Sequence, residues 1–182
     1  MKKEQESDQI SPITIEYPEA IRLRPGMYIG SVDTRGFLHL LKGILYNAIT
    51  HYYSTAICVE IRDAQSIRFK FSSINQPILK NWLSWEPTSS NSPFMIGLET
   101  LNALSTLFII KLLDNPSKTI IQETFEKGVL VGTAFPVPSF SCLEVEVEAT
   151  IDPSIWGSSF VLNPIFISDD VKQFAYLNKN IQ

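Results

Sequence analysis

Apolar residues recur at helical spacing between residues 37 and 53, and this pattern predicts the clearest long helix of the chain. One face of that helix would carry Leu40, Leu41, Ile44, Leu45, Ala48, Ile49 and Tyr52. A shorter helix is predicted over residues 18–24, where the Pro-Gly pair at 25–26 would stop it. Further helices are predicted over residues 96–105 and 169–178.

Shorter apolar runs predict the strands of a sheet. The runs AICVEIRD and SIRFKFSS lie on either side of Ala64-Gln65 and predict a β-hairpin. The run TLFIIKLLD predicts a buried strand, and the two runs on either side of Lys127-Gly128 predict a second paired unit. In SCLEVEVEATI, glutamates occupy every second position from Glu144 to Glu148, so one face of that strand is expected to meet solvent.

Together these elements predict an α/β (α+β) two-layer sandwich, in which about three helices cover a mostly antiparallel, mixed sheet. Residues 17–182 have the length of one domain of ordinary size, and the polar residues 1–16 predict an N-terminal tail or arm. Residues 73–94 are rich in Pro, Ser and Asn, which predicts a loop.

The charge and the cysteines narrow the range of functions. The chain has 15 Lys and Arg against 19 Asp and Glu, so a basic face for direct nucleic-acid binding is not expected. It shows neither a signal peptide nor a stretch able to span a bilayer, and a cytoplasmic protein without membrane contact is expected. Cys58 and Cys142 are expected to be buried, reduced thiols, and two Cys with two His offer no metal cluster.

One motif is more specific than these patterns. The run RPGMYIG at residues 24–30, continued by GSVDTRG and by Asn47-Ala48-Ile49, closely resembles the start of the ATPase domain of gyrase B and topoisomerase IV B proteins. Similar pieces follow in order, namely NALS at 102–105, QETFEKGV at 122–129, DPSIW at 152–156 and FAYLNKNI at 174–181. The resemblance implies a GHKL (Bergerat-type) ATPase-like fold over nearly the whole chain.

The resemblance also implies where an ATP site would lie. The family places a glutamate base one helical turn before a Mg²⁺-binding asparagine, and here Gly43 stands at the base position and Asn47 at the second. The aspartate that reads adenine aligns with Phe71, and a late threonine aligns loosely with Val145. The glycine-rich phosphate turn retains only Gly97, and the lid that precedes it is shortened to residues 73–94.

These substitutions predict that the chain has lost ATP hydrolysis and uses no cofactor or metal. A glycine cannot polarise water, and a phenylalanine cannot accept a hydrogen bond from adenine. Asn47, Phe71 and Gly97 are therefore interpreted as vestiges of the site, with no catalytic residue left. Two alternatives remain open: a divergent nucleotide-binding protein or ATPase, and a small-molecule or peptide binder whose cleft is rebuilt around Trp82 and Trp85.

The leading hypothesis is an interaction or regulatory protein that contacts a protein partner. The partner would be a second copy of the chain or a gyrase or topoisomerase IV subunit, held through residues 10–30. The candidate contact residues are Ile13, Tyr17, Arg24, Met27 and Tyr28. The RPGMYIG run has two interpretations, a packed turn needed for folding or a surface kept for the partner.

Overall fold

The computed structural model describes residues 17–50, 54–72, 97–114, 119–132 and 143–179. The helices of these ranges are α1 (Tyr17–Leu23), α2 (Pro25–Ile29), α3 (Thr34–Thr50), α4 (Leu98–Ala103), α5 (Pro153–Trp156) and α6 (Pro164–Lys179). The strands are β1 (Ala56–Ile61), β2 (Ser66–Ser72), β3 (Ser105–Asp114), β4 (Thr119–Glu126), β5 (Val129–Leu130) and β6 (Leu143–Ile151).

The six described strands form one sheet in the order β1-β2-β6-β3-β4-β5. Every pairing in this sheet is antiparallel, including the two that β6 makes when it inserts between β2 and β3. The predicted two-layer α/β sandwich with a mostly antiparallel sheet is therefore confirmed. None of the described helices is long and apolar enough to cross a membrane.

The two faces of the sheet differ in chemistry. Alternate residues of β2, β3 and β6 are buried and join the apolar side of α3 in one core. On the opposite face, the glutamates of β6 that were predicted to meet solvent are half-buried. Glu146 and Glu148 both form ion pairs with Arg68 and with Lys111. The alternation seen in the sequence of β6 thus separates core from charged surface.

The long helix α3 begins three residues before its predicted start because Asp33 caps it. The Asp33 carboxylate accepts hydrogen bonds from the backbone N–H groups of Arg35 and Gly36 and from the hydroxyl of Ser31. The hydrogen bond from Ser31 is the largest of the interactions that hold the pKa of Asp33 below its ordinary range. At Gly36 a Cβ atom would lie 1.7 Å from the Ser31 carbonyl oxygen, so only glycine fits there.

The Pro-Gly pair at 25–26 ends the first helix as predicted, since α1 stops at Leu23. Pro25 also opens the short helix α2, where its missing N–H needs no partner and its fixed φ suits the first turn. Two other expectations from the sequence are wrong. Cys58 is exposed and not buried, because it lies on the outer face of the edge strand β1. The described ranges contain six helices, where about three were expected. The helices at 25–29 and 153–156 are too short to show a periodic pattern in the sequence.

A partly buried ion pair joins segments that are far apart in the sequence. Arg22 on α1 donates to the carbonyl of Ala103 at 2.8 Å and to the carboxylate of Asp152 at 2.6 Å. Asp152 also accepts from the backbone and hydroxyl of Ser154, and its own N–H donates to the carbonyl of Leu104. Burial raises the pKa of Asp152, but the hydrogen bonds from Ser154 and Arg22 outweigh it, so the pKa lies below its ordinary value.

Removing this pair is expected to destabilise the domain. Arg22→Met leaves the buried Asp152 carboxylate without its cation and should lower the free energy of unfolding by about 2–4 kcal/mol near pH 7. The difference in stability between the variant and the parent should shrink below about pH 4. Because the pKa of Asp152 is lowered in the folded state, its contribution to stability is present above the unfolded-state pKa and is lost as the pH falls through the folded-state pKa. Urea titrations at several pH values measure both effects.

The matched control is Arg62→Met, because the ion pair of Arg62 with Glu60 is exposed to solvent. Such pairs contribute about 0–1 kcal/mol, so this variant should unfold almost as the parent does. Equal losses in the two variants would contradict a special role for the pair of Arg22 and Asp152.

A second buried carboxylate has no compensating partner. The side chain of Glu123 on β4 is only 2% exposed, and neither of its carboxylate oxygens has a hydrogen-bond partner. It lies opposite Ile110 of β3 and shares the buried face of β4 with Phe125. Desolvation by burial raises the pKa of Glu123, so its charged form is disfavoured in the folded state.

Glu123→Gln is therefore expected to stabilise the protein. Because the pKa of Glu123 is raised in the folded state, the folded protein loses stability as the pH rises from the unfolded-state pKa through the folded-state pKa. The amide of glutamine does not titrate, so the variant avoids this loss. The gain should reach about 1–3 kcal/mol near pH 8 and become small near pH 4, where Glu123 is protonated in the folded state and mostly protonated in the unfolded state. Denaturation curves at the two pH values test this, with the exposed Glu126→Gln on the same strand as control. A gain that is equal at both pH values would contradict the titration.

Candidate functional site

The helix α3 carries two of the residues singled out by the resemblance. Gly43 is half-buried, and Asn47 follows one turn later and is buried. Gly97, which precedes α4, lies against Asn47, because a Cβ atom at Gly97 would be 2.9 Å from the Asn47 side-chain nitrogen. The structure therefore brings Asn47 and Gly97 together, with no carboxylate at position 43.

The same space is bordered by Glu99, which the sequence analysis missed. A Cβ atom at Gly97 would lie 2.7 Å from Oε2 of Glu99, on the first turn of α4. Desolvation by burial raises the pKa of Glu99, although a hydrogen bond from its own backbone N–H opposes that rise. An acidic group thus occupies the start of the helix that follows Gly97. The signal was present in the sequence as an acidic residue two positions after Gly97.

The two positions that the resemblance assigns to adenine are direct neighbours across two strands. Phe71 of β2 pairs with Val145 of β6, and both side chains are fully buried. The ring of Phe71 lies parallel to that of Phe69, with 6.0 Å between the ring centroids. On its other side Phe71 pairs with Ile57 of β1. This part of the sheet offers an apolar, packed surface without a hydrogen-bond acceptor on either side chain.

The predicted contact residues divide into buried and exposed members. Arg24 is exposed directly before α2, and Met27 on α2 is 74% exposed. Tyr28 is half-buried and packs against the core, beside the buried Ile29. The RPGMYIG run therefore contributes to packing through some residues and to the surface through others. Ile13 and the side chain of Tyr17 lie outside the described residues.

Other residues are placed as follows. Trp156 is a core residue, and its indole N–H donates to the carbonyl of Leu104. His39 is exposed on α3. Cys142 and the segment 73–94, with Trp82 and Trp85, lie outside the described residues. Within the described ranges, no group of three His, Cys, Asp or Glu side chains could hold a metal ion.

An open groove of about 550 Å³ lies away from Asn47 and Phe71, at the end of the sheet where α1, the β4–β5 turn and α5 meet. Its lining combines apolar side chains with charged ones, namely Pro18, Glu19, Arg22, Leu23, Lys127, Val129, Ser154 and Ile155. Leu23 is 61% exposed and Val129 is 57% exposed. We call this surface the α1 groove.

Similarity searches agree with the geometry. No family model matches the chain. The chain is 24% identical over 204 residues to the DNA gyrase B protein of Streptococcus pyogenes, and 25% identical over 207 residues to the DNA topoisomerase 4 B protein of Staphylococcus epidermidis. Each match covers the whole of this chain and 31% of the relative.

Among solved structures, the 43K ATPase domain of Thermus thermophilus gyrase B, in complex with an aminocoumarin, matches with a TM-score of 0.65 and 23% identity. That match covers 88% of this chain and 45% of the other. The gyrase B protein from Myxococcus xanthus matches with a TM-score of 0.61 and 19% identity, over 84% and 47% of the two chains.

The fold is thus that of the ATPase domain of gyrase B. By sequence the chain is a distant relative of the gyrase B and topoisomerase IV B proteins, as the RPGMYIG run predicts. It spans about a third of the length of those relatives.

Proposed function

We propose that the protein is a non-catalytic, gyrase-B-like domain that acts by contacting another protein. The observation that carries this proposal is the pairing of Phe71 with Val145, both fully buried. In the related domains these positions are expected to hold an aspartate and a threonine that read adenine. Two apolar side chains there offer no hydrogen bond to a base, and a polar group placed against them would lose its water without compensation.

Two further features support the absence of catalysis. The position expected to carry the base is Gly43, which has no side chain to activate water. The carboxyl group of Glu99 lies beside Gly97, where the related domains are expected to cradle phosphate. A carboxyl group supplies no positive charge to hold a phosphate, and its ionised form would repel one.

The proposal predicts that ATP with Mg²⁺ does not stabilise the folded chain. A ligand at about 100 times its dissociation constant would add about 2.7 kcal/mol to the free energy of unfolding. Thermal unfolding with and without millimolar ATP and Mg²⁺ should therefore give the same midpoint. The Gly43→Glu variant should also show no ATP turnover, since a base without bound nucleotide has nothing to act on.

A purified gyrase B ATPase domain in the same assays is the positive control. A saturable shift in this chain would contradict the proposal and favour the divergent nucleotide-binding alternative. Turnover by Gly43→Glu alone would show that the adenine and phosphate positions still function.

The surface proposed for the partner is the α1 groove together with α2. Leu23, Met27 and Val129 are apolar and strongly exposed, and they flank the charged residues Arg22 and Lys127 of this end of the sheet. An apolar patch with a polar rim is typical of a protein contact. The partner we propose is a second copy of the chain or a gyrase B-type protein. An inactive domain that pairs with an ATPase domain of such a protein would block the ATP-driven closure of two active domains on each other. This form of regulation needs no catalysis by the inactive domain.

The predicted effect of a charge on this surface is loss of the complex. Leu23→Glu and Met27→Glu should each weaken binding to purified gyrase B or topoisomerase IV B protein at least tenfold, because burying a carboxylate opposes association. Light scattering and calorimetry measure the complex, with and without residues 1–16. Val161→Glu is the matched control, since Val161 is also apolar and exposed but follows α5. Undiminished binding by the α1 and α2 variants would contradict the proposed surface.

A further inference from the structure

The strand β1 forms one edge of the sheet and differs from the opposite edge. It is six residues long, and among the described strands β2 is its only partner. The opposite edge, β5, has only two residues. The register between β1 and β2 is unbroken from one end to the other, so β1 has no bulge. Of the usual protections of an exposed edge it contains one charged residue, Glu60, and neither proline nor lysine.

The hydrogen bonds fix which backbone groups point away from β2. The N–H of Arg62 donates to the carbonyl of Ser66, so Glu60 and Cys58 also bond to β2 in the alternation of an antiparallel ladder. The N–H and C=O groups of the alternate residues Ile57, Val59 and Ile61 then point outward from the sheet.

The same three residues form an apolar row on the helix side of β1. They lie opposite the buried residues Phe71, Phe69 and Ile67 of β2 and are themselves only partly buried. An added strand with apolar residues at alternate positions would cover this row and bond to the outward backbone groups. Both requirements are met by β1 itself, because the row is symmetric about Val59.

We propose that β1 pairs antiparallel with β1 of a second copy of this chain, so that the sheet continues across the two-fold axis. Val59 then faces Val59, and Ile57 faces Ile61. On the outer face Glu60 lies opposite Cys58, and Arg62 lies opposite Ala56. Each charged residue thus faces an uncharged one, and no like charges meet directly. A two-fold contact of this kind is self-complementary, which is what a homodimer requires.

This interface goes beyond the proposed function and does not depend on it. The α1 groove includes Val129 of β5, at the far edge of the sheet from β1. Variants of Leu23 and Met27 should therefore leave the β1 contact intact, and variants of β1 should leave binding at the groove intact. Each surface can fail without the other.

Disulfide trapping tests the register in the full chain with Cys142 replaced by Ser. In Glu60→Cys, residues 58 and 60 of the two copies form a non-hydrogen-bonded pair with Cα atoms about 4.5 Å apart, close enough for a disulfide. Mild oxidation should link most of the protein as a dimer. The two single-cysteine controls, the parent with Cys58 alone and Cys58→Ser with Glu60→Cys, should stay largely unlinked. Equal linking in all three would overturn the register.

Variants of Val59 test the interface itself by sedimentation. Val59→Pro removes an outward N–H without breaking a bond to β2, and prolines are tolerated at sheet edges. Val59→Lys places two ammonium groups opposite each other across the axis. Each should raise the dimer dissociation constant at least tenfold while circular dichroism stays unchanged. A parent chain that sediments as a monomer at every concentration would overturn the proposal, and so would a dimer that survives both variants.

Discussion

The ion pair of Arg22 with Asp152 is the interaction on which the helical layer depends. It joins α1 to the segment before α5, and Arg22 also satisfies the carbonyl of Ala103 at the end of α4. The next carbonyl, that of Leu104, accepts from the N–H of Asp152 and from the indole of Trp156. The last carbonyls of a short helix have no partner within it, so these contacts complete α4 and fix where it lies.

The position of α4 in turn decides which side chains lie beside Asn47 of α3. It brings Gly97 and Glu99 against Asn47 of α3, so that a carboxyl group borders the space where the related domains are expected to hold phosphate. On the sheet below, Phe71 and Val145 extend the core into the place expected for the base. Under the proposed function, the side chains that replace the adenine-binding groups are also core residues, so these substitutions leave the packing of the fold intact.

Part of the candidate site could be predicted from the sequence, because the motifs that carry the resemblance are contiguous and ordered. The positions expected for the base, the metal ligand and the adenine reader, Gly43, Asn47 and Phe71, are those that the resemblance implies. Glu99 could not, since its importance comes from its place beside Gly97, where Asn47 of another helix also lies. The α1 groove was equally hidden, because it is assembled from three segments that are widely separated along the chain.

By itself the sequence determined the elements, since the alternation in β2 and β6 and the apolar face of α3 are periodic properties of short stretches. It also determined the family likeness through the RPGMYIG run. Only the tertiary structure decided the insertion of β6 between β2 and β3, the exposure of Cys58 on the edge strand and the unpartnered burial of Glu123. These depend on which strands become neighbours, and neighbours are chosen by packing between distant segments, which no local pattern records.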